Sequence, residues 1–306
     1  MCERCLLPFP TMQIGITGAS GLIGQSLIPR LRDAGHSIVA FSRSTDSSVK
    51  GAEETRVLNL ETPPDLSELE AIVHLAGEPI LGYWSKDKKR RLWESRVDLT
   101  KNLVTAINSS DSPPQTLVSA SGVSLYGDQG SKWLDESAPK GSGYLSDIAE
   151  QWEAEAVKAK ESGSRVVMLR LGAVLAKDGG MLSLVRKVFR FCLGGRLGSG
   201  RQFLSWIHLE DVVSIIEQAI SNPNLEGPVN VCSPNPVTNR EFTKLLAKAV
   251  NRPAFLPAPA FAIRLLIGGL SEVALQSQRC EPKALAEADF QFEFPELAAA
   301  LEDLLN

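Results

Sequence analysis

The chain has 306 residues, of which 43% are hydrophobic and 22% charged, and these proportions are typical of a soluble globular enzyme. Its 32 Lys and Arg residues against 36 Asp and Glu residues give a formal net charge of -4. This balance excludes the basic excess of a protein that binds a nucleic-acid backbone. No run of 18 apolar residues predicts a membrane span, and five Cys residues are too few for a disulfide scaffold. We therefore expect a cytoplasmic protein of about two domains that acts on a small molecule, with no nucleic-acid or membrane partner. The sequence leaves its oligomeric state open.

The first eleven residues, MCERCLLPFPT, have neither the basic start nor the long apolar core of a signal peptide. Cys2 and Cys5 form a single C-x-x-C pair, and without a second pair nearby we expect no zinc site. Met12 opens the first strand-like segment. We predict that residues 1–11 are a disordered extension, and we expect no metal elsewhere in the chain.

Strands alternate with helices from residue 12 to about residue 178. Helices of roughly 10–20 residues between apolar strands predict βαβ units and a parallel sheet that is covered on both faces. The predicted strands are 13–17, 37–42, 55–60, 71–75, 115–121 and 165–171, and the predicted helices end near 34 and cover 87–108 and 145–162. Beyond residue 178, glycine and proline turns followed by mostly helical sequence indicate a second lobe that binds the substrate.

A glycine-rich turn lies between the first strand and the first helix. Its sequence, TGASGLIG, has three glycines in the spacing G-x-x-G-x-x-G. Glycine lets backbone N–H groups approach a pyrophosphate closely, and the N-terminus of the helix adds partial positive charge. The turn therefore predicts a dinucleotide site with the contacts Thr17, Gly18, Ser20, Gly21, Leu22, Ile23 and Gly24.

The end of the second strand bears on the type of dinucleotide. An NAD site would place an acidic residue about 20 residues after the turn to bind the ribose 2′-hydroxyl. Here Ser42 and Arg43 occupy that position, and a guanidinium beside a hydroxyl suits a 2′-phosphate. We therefore expect NADP(H) rather than NAD(H), with Asn59 and Leu60 at the end of the third strand flanking the adenine.

Further motifs extend the pattern along the chain. They are HLAG at 74–77, SASGVSLYG at 119–127, GEPILGYWSKDKKRRLWESRVDLTKNLV at 77–104, LGGRLGSGRQFLSWIHLEDVV at 193–213, GPVNVCSPNPVTNREF at 227–242 and QRCEPKALAEADFQFEFPELAAAL at 278–301. Taken in this order, the motifs resemble the extended short-chain dehydrogenases/reductases, and more narrowly the atypical epimerase-family proteins of that superfamily. The resemblance covers essentially residues 12 to 301.

The resemblance implies an α/β fold with a doubly wound, Rossmann-type parallel sheet and a smaller mixed C-terminal substrate domain. We predict an NADP-binding domain over 12–178, to which 205–232 return, and a substrate lobe formed by 179–204 and 233–306. The resemblance also places Leu75, Ala76, Gly77, Ser119, Leu171 and Gly172 at the cofactor. We expect His74 to be a buried histidine with satisfied hydrogen bonds rather than a base.

The catalytic positions depart from the superfamily pattern. Relatives use Ser, Tyr and Lys, with Tyr and Lys spaced Y-x-x-x-K so that the ammonium lowers the pKa of the phenol. Tyr144 has a plausible place, but Ile148 stands where Lys belongs, and alignment puts Gly122 at the Ser position with Ser121 beside it. Arg96 replaces an Asn of the preceding helix, where it could supply a cation to the substrate or form a surface salt bridge.

The substrate pocket is expected around 202–208. Trp206 offers a stacking face, Gln202 and Ser205 offer hydrogen bonds, and the imidazole of His208 could act as an acid or base. The same Trp and His could equally bridge the two lobes structurally. Trp84, in the loop after the fourth strand, is a second candidate, as a lid over the substrate.

Three hypotheses remain open from the sequence. The first is an NADP(H)-dependent oxidoreductase or epimerase that acts on a small polar or nucleotide-linked substrate, with Ser121, Tyr144 and His208 as catalytic candidates. The second is a non-catalytic NADP(H)-binding redox sensor or regulator, which the absence of the Lys favours. The third is a conventional NAD-dependent nucleotide-sugar epimerase, against which Arg43 and Ile148 both count.

Overall fold

A computed structural model describes residues 11–44 and 48–305 of the chain. Of the predicted extension over residues 1–11, residues 1–10, with Cys2 and Cys5, lie outside the described residues, so the disorder of this segment stays a prediction.

The first part of the chain alternates strands and helices. In chain order its elements are β1 (Gln13–Thr17), α1 (Leu22–Asp33), β2 (Ser37–Ser42), β3 (Glu54–Val57), β4 (Ala71–His74), α2 (Lys86–Trp93), α3 (Leu99–Asn108), β5 (Thr116–Gly122), β6 (Trp133–Leu134), α4 (Tyr144–Val157), β7 (Arg165–Leu171) and β8 (Ala173–Leu175).

The rest of the chain is richer in helix. Its elements are α5 (Gly180–Arg190), β9 (Phe203–Leu204), β10 (Trp206–His208), α6 (Leu209–Ser221), β11 (Gly227–Val231), β12 (Val237–Thr238), α7 (Asn239–Ala249), α8 (Ala260–Ile267), α9 (Ser271–Leu275), β13 (Arg279–Cys280), α10 (Lys283–Glu287) and α11 (Leu297–Leu305).

Seven parallel strands form the central sheet in the order β11-β7-β5-β4-β1-β2-β3. The order reverses at β1, which pairs with β2 on one side and β4 on the other, and a dinucleotide binds at such a switch point in doubly wound sheets. The predicted α/β class with a parallel sheet is confirmed. The register aligns Thr17 with His74 and His74 with Ser119, so the loops that follow these strands share one edge.

Helices cover both faces of the sheet. On one face, α1 and α6 pack together over Ile14, Ile16, Val118 and Val167, which are all fully buried. On the other face, α3 and α4 cover Ile72, Leu117 and Val166. Burial on both sides explains why these strands are continuous apolar runs rather than alternating ones.

Residues outside the sheet form a smaller unit around a separate core. Helices α7 and α11 pack against each other and, with α5, surround the fully buried Trp206. Short two-stranded pairings connect β8 with β10, β9 with β12 and β6 with β13. The exact domain boundaries stay a prediction, although β11 pairs with β7 and thereby belongs to the main sheet.

Two differences between the predicted and the observed elements bear on the site. The third strand ends at Val57 rather than residue 60, because the Asn59 side chain accepts hydrogen bonds from the backbone N–H groups of Glu61 and Thr62 and closes a turn. The helix predicted over 87–108 contains a π-helical turn at Glu94–Asp98 between α2 and α3. Within the described part of the chain, no helix is long and apolar enough to cross a membrane.

Candidate cofactor and active site

The glycine turn has the geometry that close phosphate approach requires. Gly18 has a φ of +67°, and a Cβ there would stand 2.7 Å from the Leu75 carbonyl carbon. A Cβ on Gly24 would stand 2.6 Å from the Gly18 carbonyl oxygen, so α1 packs tightly on the turn. A Cβ on Gly21 would meet only that same oxygen, at 3.0 Å. Gly18 and Gly24 therefore allow the backbone of the turn to pack tightly against β4 and α1. Gly21 has only one close neighbour, so the turn is least crowded at this residue.

The N-terminus of α1 lacks a capping side chain. Gly21 is its N-cap, no side chain accepts a hydrogen bond there, and the first turn contains no acidic residue. The helix has 12 residues and begins at Leu22. The N–H groups of its first residues, Leu22 and Ile23, therefore lack side-chain acceptors. A pyrophosphate supplies both the acceptors and the negative charge that this position lacks, so the residues fit a dinucleotide.

The ends of β2 and β3 lie at the same edge as the turn. Ser42 ends β2 and Arg43 follows it, with an exposed side chain. The Asn59 carbonyl accepts a 2.7 Å hydrogen bond from the Asn102 amide, and the neighbouring Leu60 is exposed. We call the glycine turn (17–24), Ser42, Arg43, Asn59 and Leu60 the cofactor edge. The contacts of Ser42, Arg43, Asn59 and Leu60 with a ribose phosphate and an adenine stay a prediction.

A buried hydrogen-bond chain joins the cofactor edge to α3. The Thr17 hydroxyl accepts from the backbone N–H groups of Leu75 and Ala76, and it lies 2.8 Å from His74 Nδ1. His74 Nε2 lies 2.9 Å from the Thr100 hydroxyl, and that hydroxyl donates to the Arg96 carbonyl oxygen.

The donors and acceptors in this chain fix the state of His74. Thr100 has given its only proton to a carbonyl, so it must accept from Nε2–H, and Nδ1 must then accept from Thr17. Burial lowers the pKa of His74 to about 4. His74 is therefore a neutral, fully buried positioning residue, as the sequence led us to expect, and not a base.

Arg96 is buried within the π-helical turn and has no carboxylate partner among the described residues. Its side chain lies against Gly77, where Cζ and Nη2 are 3.2 Å from the position of a Cβ on that glycine, and its Cζ is 5.3 Å from the Trp152 ring centroid. Burial lowers the pKa of Arg96 to about 10, so the group stays charged at neutral pH. The alternative of a surface salt bridge is thus excluded.

Tyr144 and Ile148 occupy the first turns of α4. The Tyr144 hydroxyl donates a 2.7 Å hydrogen bond to the Lys89 carbonyl oxygen. Burial raises the pKa of this phenol and the nearby charge of Arg96 lowers it, with a net rise. Ile148 is buried in an apolar cluster with Leu92 and other residues, so the position of the missing Lys is filled by packing. We call Gly77, Arg96, Tyr144, Ile148 and Trp152 the reaction cluster.

Ser121 belongs to a buried ionic network rather than to an open site. Its hydroxyl donates to Glu153 over 2.6 Å, and Glu153 also forms a 2.8 Å ion pair with Arg170. Burial alone would lower the pKa of Arg170, but hydrogen bonds and the ion pair with Glu153 raise it above its ordinary value. The expectation of a catalytic Ser121 is therefore corrected, because a structural carboxylate already takes its hydroxyl.

Ser124 was missed in the sequence. A Cβ on Gly122, the position aligned with the superfamily serine, would stand 3.2 Å from the Ser124 hydroxyl oxygen. No described residue accepts from or donates to that hydroxyl, and the residue is partly exposed. Ser124 sits in the short helical turn Val123–Tyr126 after β5, and only this turn brings it back beside Gly122.

The expectation that His208 acts as an acid or base is also corrected. His208 is buried and is the N-cap of α6, where Nδ1 accepts from the Glu210 N–H at 3.1 Å. Its ring stacks on Phe294 with 3.9 Å between centroids, and Nε2 lies 3.3 Å from Asp303. These contacts join α6 to the C-terminal segment, which is the structural bridge that the sequence had left as an alternative.

Three predicted substrate residues have side chains that the protein itself satisfies. Trp206 is fully buried and donates its indole N–H to the Asn235 carbonyl at 3.0 Å. The Ser205 hydroxyl donates to the Gln278 carbonyl, and the Gln202 amide donates to backbone carbonyls at 3.0 and 3.2 Å. These bonds favour a structural role for the three residues, and their role as substrate contacts stays a prediction that no contact in the structure supports.

Trp84 is a packing residue rather than an open lid. It is 7% exposed, donates its indole N–H to the Ile80 carbonyl at 2.9 Å, and meets Tyr144 edge-to-face at 5.9 Å. A Cβ on Gly269 would stand 2.5 Å from its ring, so the C-terminal lobe covers it directly.

The remaining predicted cofactor contacts lie along the carboxyl edge of the sheet. Ala76 and Gly77 follow β4 directly, and the backbone of Leu75 packs on Gly18. Ser119 is fully buried, so only its backbone can take part in lining a site. Leu171 ends β7, and Gly172 packs on the Ser205 carbonyl, where a Cβ would come within 2.8 Å.

With this geometry in view, comparison with known proteins defines the class. Residues 14–232 match the NAD dependent epimerase/dehydratase family, and residues 258–304 match a domain of unknown function, DUF1731. The chain therefore belongs to the NAD-dependent epimerase/dehydratase family, which confirms the resemblance seen in the sequence.

Individual proteins of known sequence or structure are similar to this chain over almost its whole length. An epimerase family protein of Mycobacterium tuberculosis, MT2273, is 40% identical over 94% of this chain and 96% of its own length. The crystal structure of human epimerase family protein SDR39U1 with NADPH superposes with a TM-score of 0.87 and is 29% identical, covering 96% of this chain and 99% of that chain. A nucleoside-diphosphate sugar epimerase from Corynebacterium glutamicum superposes with a TM-score of 0.79 at 32% identity, covering 96% of this chain and 58% of that chain.

Proposed function

We propose that this protein is an NADP(H)-dependent oxidoreductase or epimerase that acts on a small polar or nucleotide-linked substrate in the cytoplasm. The single observation that carries the proposal is the uncapped N-terminus of α1 behind an open Gly21, with Arg43 at the same edge. The human relative's NADPH supports the choice of dinucleotide, and the nucleoside-diphosphate sugar epimerase of Corynebacterium glutamicum supports a nucleotide-linked substrate. The low basic content argues against a nucleic-acid partner.

We assign each part of the dinucleotide to residues at the carboxyl edge of the sheet. When bound, NADP(H) supplies or accepts a hydride. The N–H groups at Leu22 and Ile23 would hold the pyrophosphate, Arg43 the 2′-phosphate, and the backbone of Ala76 and Gly77 would line the path toward the nicotinamide.

Tyr144 is suited to give up a proton rather than to take one. Its pKa is raised and no Lys stands at position 148, so the phenol is neutral at physiological pH. The hydrogen bond from the Tyr144 hydroxyl to the Lys89 carbonyl is exposed, so a substrate carbonyl oxygen can take the place of that acceptor. The neutral phenol then donates its proton to this oxygen as the carbonyl carbon gains a hydride, and solvent returns a proton to Tyr144. Ser124 has a hydroxyl beside Gly122 that can hydrogen-bond the same oxygen. We therefore propose carbonyl reduction as the favoured direction.

The cofactor proposal is tested at Gly21. An Asp or Asn fits its φ of -79°, and both are good N-cap residues. Their Cβ would stand 3.0 Å from the Gly18 carbonyl oxygen, so the turn must shift by a few tenths of an ångström, and it must do so equally in both variants. Gly21→Asp places a negative charge where the pyrophosphate would bind, whereas Gly21→Asn has the same shape without the charge. We expect NADPH to bind Gly21→Asp about 100-fold more weakly than Gly21→Asn, because like charges in contact cost several kcal/mol. Equal affinities in fluorescence titrations would show that the cofactor site lies elsewhere.

The catalytic proposal is tested by turnover. NADPH oxidation at 340 nm, followed with a panel of carbonyl compounds and nucleotide sugars, should fall by about 10²- to 10⁴-fold in Tyr144→Phe, the usual contribution of a positioned proton donor. Ser121→Ala is the matched control, since its hydroxyl is bonded to Glu153, and it should retain turnover. If Tyr144→Phe retains full turnover, Tyr144 is not the proton donor.

A non-catalytic NADP(H) sensor is the second candidate. The observation that favours it is that Ile148 fills the Lys position with buried apolar packing while the Tyr144 hydroxyl is bonded to the Lys89 carbonyl. NADPH binding without oxidation of any compound in the panel would support this second candidate over the first.

A further inference from the structure

The guanidinium of Arg96 is the feature of the site that neither the fold nor the ionic networks use. Its side chain is only 9% exposed, and no described carboxylate lies within ion-pair distance of it. The nearest acid that influences it electrostatically, Glu78, is held by Lys88 at 2.8 Å and Arg91 at 3.3 Å. The Trp152 ring, 5.3 Å from Cζ, offsets part of the cost of burying this charge. A buried cation without an anionic partner still costs free energy, and a bound anion would remove that cost.

The hydrogen bonds of Arg96 leave most of its donors unused. Nη1 donates to the Leu92 carbonyl at 3.5 Å and to the Ser95 hydroxyl at 3.4 Å, both at the long limit of a hydrogen bond. Its Nε and Nη2 groups have no acceptor among the described residues. A guanidinium has five donors in a planar fork, so an entire edge of the fork is left for a ligand.

The backbone of Arg96 is held in place by its local structure and by hydrogen bonds. It lies in the π-helical turn Glu94–Asp98, an arrangement that is rare and is frequently found at functional sites. Its carbonyl is fixed by Thr100, which connects through His74 to Thr17 in the glycine turn. The backbone of this residue is therefore held by the same network that shapes the cofactor edge.

Arg96 also points at the reaction position. Its Cζ and Nη2 atoms approach Gly77, and Gly77 follows Ala76, whose backbone nitrogen would lie 2.9 Å from a Cβ on Gly18. The charge of Arg96 acts on the phenol of Tyr144 as well. A group bound to the free edge of Arg96 would thus lie between the cofactor turn and the proton donor.

We infer that Arg96 is the receptor for a carboxylate on the substrate, so that the protein acts on carbonyl or hydroxyl compounds with a carboxylate next to the reacting carbon. This inference rests on the proposed function. A carboxylate matches the guanidinium fork with two parallel hydrogen bonds. It also brings one negative charge for one positive charge, whereas a phosphate monoester brings nearly two into a buried place that holds a single cation.

The test uses the NADPH-loaded protein and 2-oxo acids of increasing size, namely glyoxylate, pyruvate and phenylpyruvate, each beside its methyl ester. At least one acid should bind saturably in calorimetry and be reduced at 340 nm, and its ester should do neither. Arg96→Met should weaken binding of that acid by about 10- to 100-fold, the usual effect of losing hydrogen bonds to a charged group. Arg90→Met is the matched control, because Arg90 is an exposed Arg in the same helical segment, and it should bind the acid normally.

The melting temperature of Arg96→Met distinguishes a ligand-binding Arg96 from a structural one, because the two roles predict changes of opposite sign. Arg96→Met removes an unpaired buried charge, so the ligand-free variant should melt higher than the wild type, by roughly 2 °C or more. A structural Arg96 would instead make the variant melt lower.

The outcomes separate this inference from the proposed function. Wild-type protein that fails to bind NADPH sinks the proposed function itself. Normal NADPH binding with no acid bound, or with equal binding of acid and ester, overturns the carboxylate inference alone. Binding of inorganic phosphate in place of the acids overturns it as well, and so does loss of NADPH affinity in Arg96→Met, which would assign Arg96 to the cofactor.

Discussion

The cofactor edge and the reaction cluster lie at the same side of one sheet, yet their side chains are used differently. At the cofactor edge, the uncapped helix N-terminus, the open Gly21 and the exposed Arg43 are groups that the fold leaves available. In the reaction cluster and its surroundings, Ser121 donates a hydrogen bond to Glu153, and Tyr144 donates one to the Lys89 carbonyl. Ile148 packs against apolar neighbours. Arg96 differs from these residues, because its only hydrogen bonds among the described residues are two long ones from Nη1 and it has no carboxylate partner there.

This difference separates a part of the site that packing fixes from a part whose chemistry is proposed. Gly18 and Gly24 have no room for any side chain, so packing fixes the shape of the glycine turn. At position 148 a buried isoleucine stands where the superfamily pattern has Lys, and the buried cation nearby is Arg96. The proposed proton transfer therefore uses a neutral phenol rather than a strongly basic one.

The largest expected effect tests whether the network beside the reaction cluster is structural. Glu153→Gln leaves Arg170 buried without its ion partner, and we expect a loss of about 3–5 kcal/mol in the free energy of unfolding. Glu155→Gln in the same helix breaks only the pair with the half-exposed Lys158 and should cost less than about 1 kcal/mol. Urea denaturation of both variants measures the difference. Equal small losses would mean that Glu153 is available for chemistry after all.

The next effect tests the chain that connects the two regions. The pKa of His74 is about 4 in the folded protein and lies near its ordinary value of 6.5 in the unfolded chain. The unfolded chain therefore binds more protons between these values, so stability is complete above pH 6.5 and decreases as the pH falls toward 4. The total loss is up to about 3 kcal/mol. Urea denaturation at pH 7 and pH 5 measures it, and the slope should shrink in His74→Gln but persist in His36→Gln. A slope unchanged in His74→Gln would contradict a buried neutral His74.

A smaller effect concerns the cofactor edge alone. Arg43→Ala removes the exposed guanidinium proposed to bind the 2′-phosphate, and hydrogen bonds to charged groups contribute about 1.5–3 kcal/mol each. We therefore expect NADPH affinity to fall about 10- to 100-fold, while NADH affinity stays within about twofold. Fluorescence titration of both nucleotides checks this, with Lys50→Ala as a control for general loss of positive charge. A parallel loss of both affinities would mean that Arg43 does not distinguish them.

The sequence predicts the cofactor edge better than the reaction cluster. The glycine turn, Arg43 and the strands of the sheet are contiguous segments, and local pattern suffices to assign them. The state of Ser121 was not predictable in this way, because a shift of one residue between Ser121 and Gly122 decides which side chain meets Glu153 from another helix. The burial of Arg96 was equally hidden, since it depends on Gly77 and Trp152, which are far from it in sequence.

Some errors at the second lobe had a visible signal. Glu210 and Asp211 lie two and three residues after His208, and a polar residue before an acidic first turn is typical of a helix N-cap. That pattern favoured the structural interpretation over the catalytic one. For Trp206 and Ser205 no such signal exists, because their partners, the carbonyls of Asn235 and Gln278, are supplied by the folded lobe.

The smallest expected effect separates the two regions most directly. Tyr144→Phe removes the hydrogen bond to the Lys89 carbonyl, which is partly exposed, so we expect a loss of only about 0.5–1.5 kcal/mol in the free energy of unfolding. NADPH affinity should stay within about twofold, because the groups proposed to hold the pyrophosphate and the 2′-phosphate belong to the cofactor edge. Urea denaturation and fluorescence titration of the same preparation measure both quantities. If NADPH affinity falls tenfold or more while stability hardly changes, Tyr144 contacts the cofactor directly, and the cofactor edge and the reaction cluster are one binding surface rather than two.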